Sequence, residues 1–257
     1  MEVRQDQPNK VELRSLYKNY GGLSVLQGID LVVKAGEFVT LIGPSGCGKS
    51  TIFNILAGLE QADSGEVFLD GQLVSGPGQV AFMPQRDALL PWRKILDNVV
   101  IGLELRGVPK KEARQRALGQ FETFGLKGFE GNYPFQLSGG MRQRAALLRT
   151  VLMEREVLLL DEPFGALDAL TRTSLQEWLL RLQSQLQRTI LFITHDVEEA
   201  LLLSDRVYVV SPRPASVQLV QEVALPRPRL PEIITTPEFV ALKVRLLAAL
   251  KAEGAYA

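Results

Sequence analysis

Phe38-Val-Thr-Leu-Ile42-Gly43-Pro44-Ser45-Gly46-Cys47-Gly48-Lys49-Ser50-Thr51 is the stretch from which the fold can be read. Its first five residues are apolar or β-branched, which predicts a short buried strand. Ile52, Phe53, Ile55 and Leu56 follow at helical spacing until Gly58 stops the run, so a helix is predicted behind the glycines. Between them Gly43-x-x-x-x-Gly48-Lys49-Ser50 matches the phosphate-binding P-loop pattern in its required strand–loop–helix setting. The glycines let the backbone curl and aim its N–H groups inward, and the helix N-terminus adds partial positive charge. Gly43, Pro44, Ser45, Gly46, Cys47, Gly48, Lys49, Ser50 and Thr51 are therefore candidate nucleotide-binding residues. In this pattern Lys49 reaches the β- and γ-phosphates and the Ser50 hydroxyl ligates Mg²⁺. Cys47 fills a variable position of the loop and reads as a bystander.

On the upstream side, Leu26–Val33 reads as a strand. Downstream, Val67-Phe-Leu69, Asp70-Gly71 and Gln72-Leu-Val74 read as a small hairpin with an Asp-Gly turn, and Val80–Met83 as a further strand. From Arg86 to about Glu156 the texture turns helical. Ile95–Leu105 and Lys110–Phe124 carry helical spacing around a Gly107-Val-Pro109 break, and a third helix is predicted from Ser138 through Arg155. Strand-like runs return at Val157–Leu160, Thr189–Ile193 and Arg206–Val210, with a long helix over Ala169–Leu186. The pattern predicts an α/β core interrupted by a helical insertion. A proline-richer tail from Ser211 closes with an amphipathic helix carrying Phe239, Leu242, Leu246 and Leu250.

Two more groups could serve a nucleotide. Val157-Leu-Leu-Leu160 runs into Asp161-Glu162, two carboxylates at the end of a strand, where ligands of open α/β sheets collect. Asp161 could hold Mg²⁺ through its water shell, and Glu162 could orient or deprotonate an attacking water. Leu137-Ser138-Gly139-Gly140-Met141 opens a helix with a second Gly-rich N-terminus, either a second anion site or simply an N-cap at Ser138.

The 257 residues can bury a sizeable core. Lys+Arg and Asp+Glu balance at 29 each, which argues against a broad nucleic-acid surface. A single cysteine excludes an intramolecular disulfide and fits a reducing compartment. Met1–Lys10 has no apolar run resembling a signal peptide, and the longest apolar runs are too short to span a bilayer, so a cytosolic chain is expected.

Taken together, the motifs of Val11 to about Val223 resemble the ATP-binding cassette ATPases. Leu137-Ser-Gly-Gly-Met141 is similar to their signature, with Met141 where Gln is most common. The resemblance implies an α/β P-loop NTPase core with a helical subdomain inserted between the Q-loop and the signature. It implies one nucleotide-binding domain over 1–225, its helical subdomain at about 86–156, and a short tail over 226–257. It implies ATP and Mg²⁺ as cofactors and a head-to-tail pair, with a second copy or a homologous cassette. In such a pair Ser138, Gly139 and Gly140 cap the γ-phosphate held by the other chain. Tyr20, otherwise readable as a packing residue, takes the place of the aromatic that stacks on adenine. Gln85 matches the glutamine that touches Mg²⁺ and water. Gly165-Ala-Leu-Asp168 matches the loop crossing the dimer interface. His195 in Thr194-His-Asp196, the only histidine, matches the switch histidine. Catalysis is thereby implied for Glu162, His195 and Gln85, and metal binding for Ser50, Gln85 and Asp161.

Gln85 is followed by Arg86-Asp-Ala-Leu-Leu-Pro-Trp-Arg93-Lys-Ile-Leu-Asp-Asn98-Val, which resembles the cassettes of bacterial importers for nitrate, taurine and alkanesulfonates. That group also includes importers of thiamine-pyrimidine precursors. The resemblance implies ATP-driven uptake of a small solute, with sulfonate, taurine or nitrate favoured. Transmembrane permease subunits are the implied partners, and a substrate-binding protein an indirect one. No nucleic acid is expected, and the implied location is the cytoplasmic face of the inner membrane, peripheral through the permease. A soluble non-transport cassette ATPase is the rival, but neither long heptads nor a second cassette is present. The run Leu89–Trp92 contains a proline and reads as a loop, either turned inward or forming part of a permease-docking groove.

Overall fold

The computed structural model describes residues 7–251 apart from 75, 166, 187 and 230. Within them the chain divides into two units, one made of the residues up to Gln79 and those from Leu180 onward, the other of Val80–Leu179.

The first unit opens with two long strands, β1 (Asn9–Tyr20) and β2 (Leu23–Lys34). With β4 (Ser64–Leu69) and β5 (Gln72–Leu73) they form an antiparallel sheet in the order β2-β1-β4-β5. β1 turns Val11, Leu13 and Leu16 inward, a spacing of two and then three, because the register slips between Leu13 and Leu16. At that bulge Ser15 has φ 47°, and its N–H donates to Asp30 Oδ1 at 2.8 Å. Gly65 faces the same spot: a Cβ there would lie 2.3 Å from the Ser15 carbonyl oxygen, so only glycine fits. The β4–β5 turn has positive φ at both Asp70 and Gly71, the conformation that matches the twist of a two-residue hairpin.

β3 (Phe38–Ile42) is buried along its whole length. It runs parallel to β8 (Thr189–Ile193) on one side and β9 (Arg206–Val210) on the other, and β10 (Val217–Glu222) pairs antiparallel with β9. Strands covered on both faces read as continuous apolar runs, which is why β3, β8 and β9 stand out in the sequence. Helix α1 (Lys49–Leu56) follows β3, and α7 (Val197–Leu203) follows β8. The tail helix α8 (Pro237–Lys251) buries Phe239, Leu246 and Leu250 in a cluster with Ile42, Leu201, Val207 and Val209. Buried Arg229 closes this region. Its guanidinium donates to the Leu201, Leu202, Ser204, Val223 and Leu225 carbonyls, satisfying the free end of α7. Burial, reinforced by Arg227, pushes its pKa down to about 10.

In the second unit, β6 (Ala81–Met83) and β7 (Val157–Asp161) pair in parallel, Met83 opposite Leu160. Between them lie α2 (Ile95–Val99), α3 (Ile101–Leu105), α4 (Lys110–Phe121) and α5 (Gly139–Val151). The predicted helix over Ile95–Leu105 is thus interrupted at one residue, Val100. The predicted third helix ends four residues early, because the chain turns back at Glu154, with φ 52°, to enter β7. Ala113, Ala117, Phe121 and Phe124 bury the inner side of α4 and its exit, and Phe124 meets Trp178 edge-on at 4.4 Å. Trp178 lies on α6 (Ala169–Leu186), the helix in which the boundary between the units falls.

Candidate functional site

In the first unit the P-loop leaves the end of β3 and curls into α1. Gly46 and Gly48 have φ 74° and 125°, beyond the ordinary reach of L side chains. A Cβ on Gly43 would lie 2.7 Å from the Val210 carbonyl oxygen, and one on Gly48 would lie 2.9 Å from Leu26 Cδ2. The cradle is therefore walled by β2 and by the end of β9. Lys49 is buried, and its ammonium donates to the Gly43 and Pro44 carbonyls at 2.8 and 2.9 Å. Cys47 is buried beneath the loop, its sulfur 3.8 Å from that ammonium. Ser45 and Ser50 are exposed.

Two other residues of the sequence reading share this unit. Because β8 runs parallel to β3 with Ile193 opposite Leu41, exposed His195 emerges at the same end of the strands as the P-loop. Asp196 beside it caps α7, accepting from the Glu198 and Glu199 N–H groups at 2.8 and 3.2 Å. Tyr20 ends β1 and is 43% exposed, its hydroxyl bonded to Glu60 and near Thr51. Burial of the hydroxyl, together with Glu60, holds its pKa above the ordinary tyrosine value. Tyr20 thus presents an open aromatic face beside the start of α1.

In the second unit, Gln85 leaves β6 and Asp161-Glu162 close β7, so the parallel register brings them to one end. Gln85 Nε2 donates to Glu162 Oε2 at 3.1 Å. Asp161 is buried. Glu162 has φ 48°, and its carbonyl accepts from Gly165 N at 3.3 Å and Gln143 Nε2 at 3.4 Å. Gln143 lies on α5, the helix that Ser138 opens. The Ser138 hydroxyl accepts from Met141 N at 3.3 Å, so its N-cap role is realised, while Ser138 and Gly139 remain exposed. Asp168 caps α6 through Thr171 N at 3.0 Å, and that bond holds its carboxyl below the usual aspartate range.

Side chains that the sequence reading did not single out tie these pieces together. Arg142 Nε bonds Asp87 Oδ2 at 3.0 Å, and Arg149 donates to the Asp87 and Ala88 carbonyls at 2.7 and 2.8 Å. Burial lowers the Arg149 pKa. Two arginines of α5 thus clamp the loop that carries Gln85. Further along, buried Asn98 accepts from Leu90 N at 2.7 Å and donates to the Leu90 and Arg93 carbonyls at 3.1 and 3.0 Å. This holds Leu89 inward and Trp92 outward, 71% exposed, so the apolar run Leu89–Trp92 divides between the two readings. Trp92 and Tyr133 line a cleft of about 320 Å³ with Arg93, Lys94, Asp97, Glu104 and Lys110, and Phe135 stacks on Tyr133 at 5.7 Å.

A buried parallel strand feeding a glycine-rich loop into a helix defines a P-loop nucleotide-binding α/β protein. The chain belongs to the ABC transporter family, whose sequence profile matches residues 26–165; it is an ATPase of that family. Among its relatives, the aliphatic sulfonates import ATP-binding protein of Bacillus cereus is 43% identical over 213 residues, 82% of this chain and 84% of the relative. The formylaminopyrimidine import ATP-binding protein of Halalkalibacterium halodurans is 47% identical over 190 residues, 74% of each. Among solved structures, a dimeric ATP-binding cassette in a post-hydrolysis state with ADP and Pi superposes at a TM-score of 0.77. It is 29% identical and covers 84% of this chain and 99% of its own.

Proposed function

We propose that this chain powers uptake of a small solute by hydrolysing ATP as the nucleotide-binding subunit of an importer. The observation that carries the catalytic part is the Gln85–Glu162 pair, in which an amide donor holds a carboxylate at the end of a strand. In this reading Glu162 orients or deprotonates the attacking water, Gln85 fixes that carboxylate, and His195 contacts the γ-phosphate. Lys49 and the loop N–H groups hold the β- and γ-phosphates, and Tyr20 is the adenine platform. Ser138, Gly139 and Gly140 act on the nucleotide of a second, head-to-tail copy.

The donors fit Mg²⁺. Ser50, Gln85 and Asp161 each offer a hard oxygen, with one carboxylate among them. Mg²⁺ in nucleotide sites takes one or two carboxylates together with phosphates and waters, so such a sparse set suits it. When bound, the ion would neutralise charge on the phosphates.

No helix among the described residues is long and apolar enough to cross a membrane. We place the chain on the cytoplasmic face, held there by a permease helix docked at Trp92, Tyr133 and Phe135. Relatives named for import of aliphatic sulfonates and of a pyrimidine support the importer reading. The Arg86–Val99 segment favours sulfonate, taurine or nitrate, and a pyrimidine precursor is the second reading, favoured by the 47% identical relative.

Uptake of labelled taurine, alkanesulfonate, nitrate and formylaminopyrimidine decides between them. Cells lacking the chain should lose uptake of one solute, restored by the wild type and not by Lys49→Ala. Loss confined to the pyrimidine would select the second reading, and unchanged uptake of all four would contradict this set of substrates.

A further inference from the structure

Arg213 stands against the P-loop. Its Nη2 lies 3.6 Å from where a Cβ on Gly46 would be. The side chain is exposed, and among the described residues it makes no hydrogen bond or ion pair. Exposed arginines are ordinary, but this one is fixed in place at its base. The turn that carries it is closed by Ser211 N donating to the Ser216 carbonyl at 3.0 Å and by Ser216 N donating to Ser211 Oγ at 2.9 Å. The Ser211 hydroxyl in turn donates to the Pro212 carbonyl at 2.9 Å. Pro212 and Pro214 flank the arginine and narrow its backbone freedom.

The turn is also anchored to the walls of the cradle. Ala215 N donates to the Val25 carbonyl and Gln27 N to the Ala215 carbonyl, both at 2.8 Å. Val25 and Leu26 are the side chains that press on Gly48, and Val210, at the start of the turn, presses on Gly43. The same contacts that shape the loop therefore set the position of the turn that carries Arg213.

Resting on the nucleotide-site reading above, we propose that Arg213 is a phosphate-binding residue, a second cation for the nucleoside polyphosphate held by the P-loop. A guanidinium is always charged, and its planar fork matches phosphate oxygens. Lys49 is spread over two loop carbonyls, whereas the donors of Arg213 are uncommitted. Because Arg213 reaches the anion from the rim, it contributes to ground-state affinity and is screened by salt.

The test uses the purified full-length chain, with ATP and ADP affinities from displacement of a fluorescent nucleotide, and steady-state ATPase. Arg213→Ala should weaken both nucleotides about threefold to fivefold at low salt and raise KM alike, leaving kcat within about twofold. Arg213→Lys should recover part of the loss, and the gap to wild type should shrink as salt rises. Lys49→Ala, measured alongside, should lose far more. Unchanged affinity in Arg213→Ala with loss in Lys49→Ala would overturn the assignment of Arg213 alone. A salt-independent loss that Arg213→Lys does not relieve would also overturn it, marking Arg213 as a packing residue. Unchanged affinity in both variants would instead bring down the nucleotide-site reading on which it rests.

Discussion

Glu162 occupies a backbone conformation, φ 48°, that costs an L residue about 1–3 kcal/mol. Its carbonyl is fixed by Gln143 and Gly165, and its carboxylate by Gln85, so the residue is held from both ends. Replacing the carboxylate by an amide keeps the shape and removes the basicity. Glu162→Gln should therefore retain ATP binding within about twofold while turnover falls by about 10²–10⁴-fold, read by single-turnover hydrolysis. Turnover equal to wild type would remove Glu162 from its role. Asp161 and Glu162 stand out in the sequence because they end an apolar run that had to be a buried strand, whereas Gln85 and His195 are marked by the family resemblance. Arg142, Gln143 and Arg149 were not legible there. Their significance depends on which loop α5 packs against, and helical periodicity carries no information about that.

At the scale of elements, the strands buried on both faces could be read from the sequence almost residue for residue, β3 and β8 among them. β1 escaped notice because its bulge at Ser15 breaks the alternation between Leu13 and Leu16, so neither strand nor helix spacing fits. α7 is seven residues long, too short for a periodic signal, although Asp196 and the two glutamates behind it mark its start. The tail helix was legible from Phe239, Leu242, Leu246 and Leu250, and it proves to be part of the core of the first unit. Phe239→Ala should accordingly destabilise that unit by about 3–5 kcal/mol, seen as a lower denaturant midpoint. The Trp92 loop behaves differently, since Asn98 braces it with the indole outward. Trp92→Ala should leave the melting temperature and the ATPase of the isolated chain unchanged while weakening co-purification with the permease. A melting temperature lower by several degrees with intact assembly would make Trp92 a core residue instead.

For the whole molecule, we propose that one chain carries two halves of different sites. The P-loop belongs to one unit and the Ser138 helix start to the other, and the 29%-identical cassette of known structure is a dimer with ADP and Pi. Mixing Lys49→Ala with Ser138→Arg should recover ATPase activity that neither variant has alone, because each heterodimer assembles one site from intact halves. The most direct measurement is the mass of the Glu162→Gln chain by light scattering, with and without ATP. The mass should be twice that of the chain with ATP, that of a single chain with ADP, and should not double when Ser138→Arg is added. A chain that stays single while saturated with ATP would contradict the shared site.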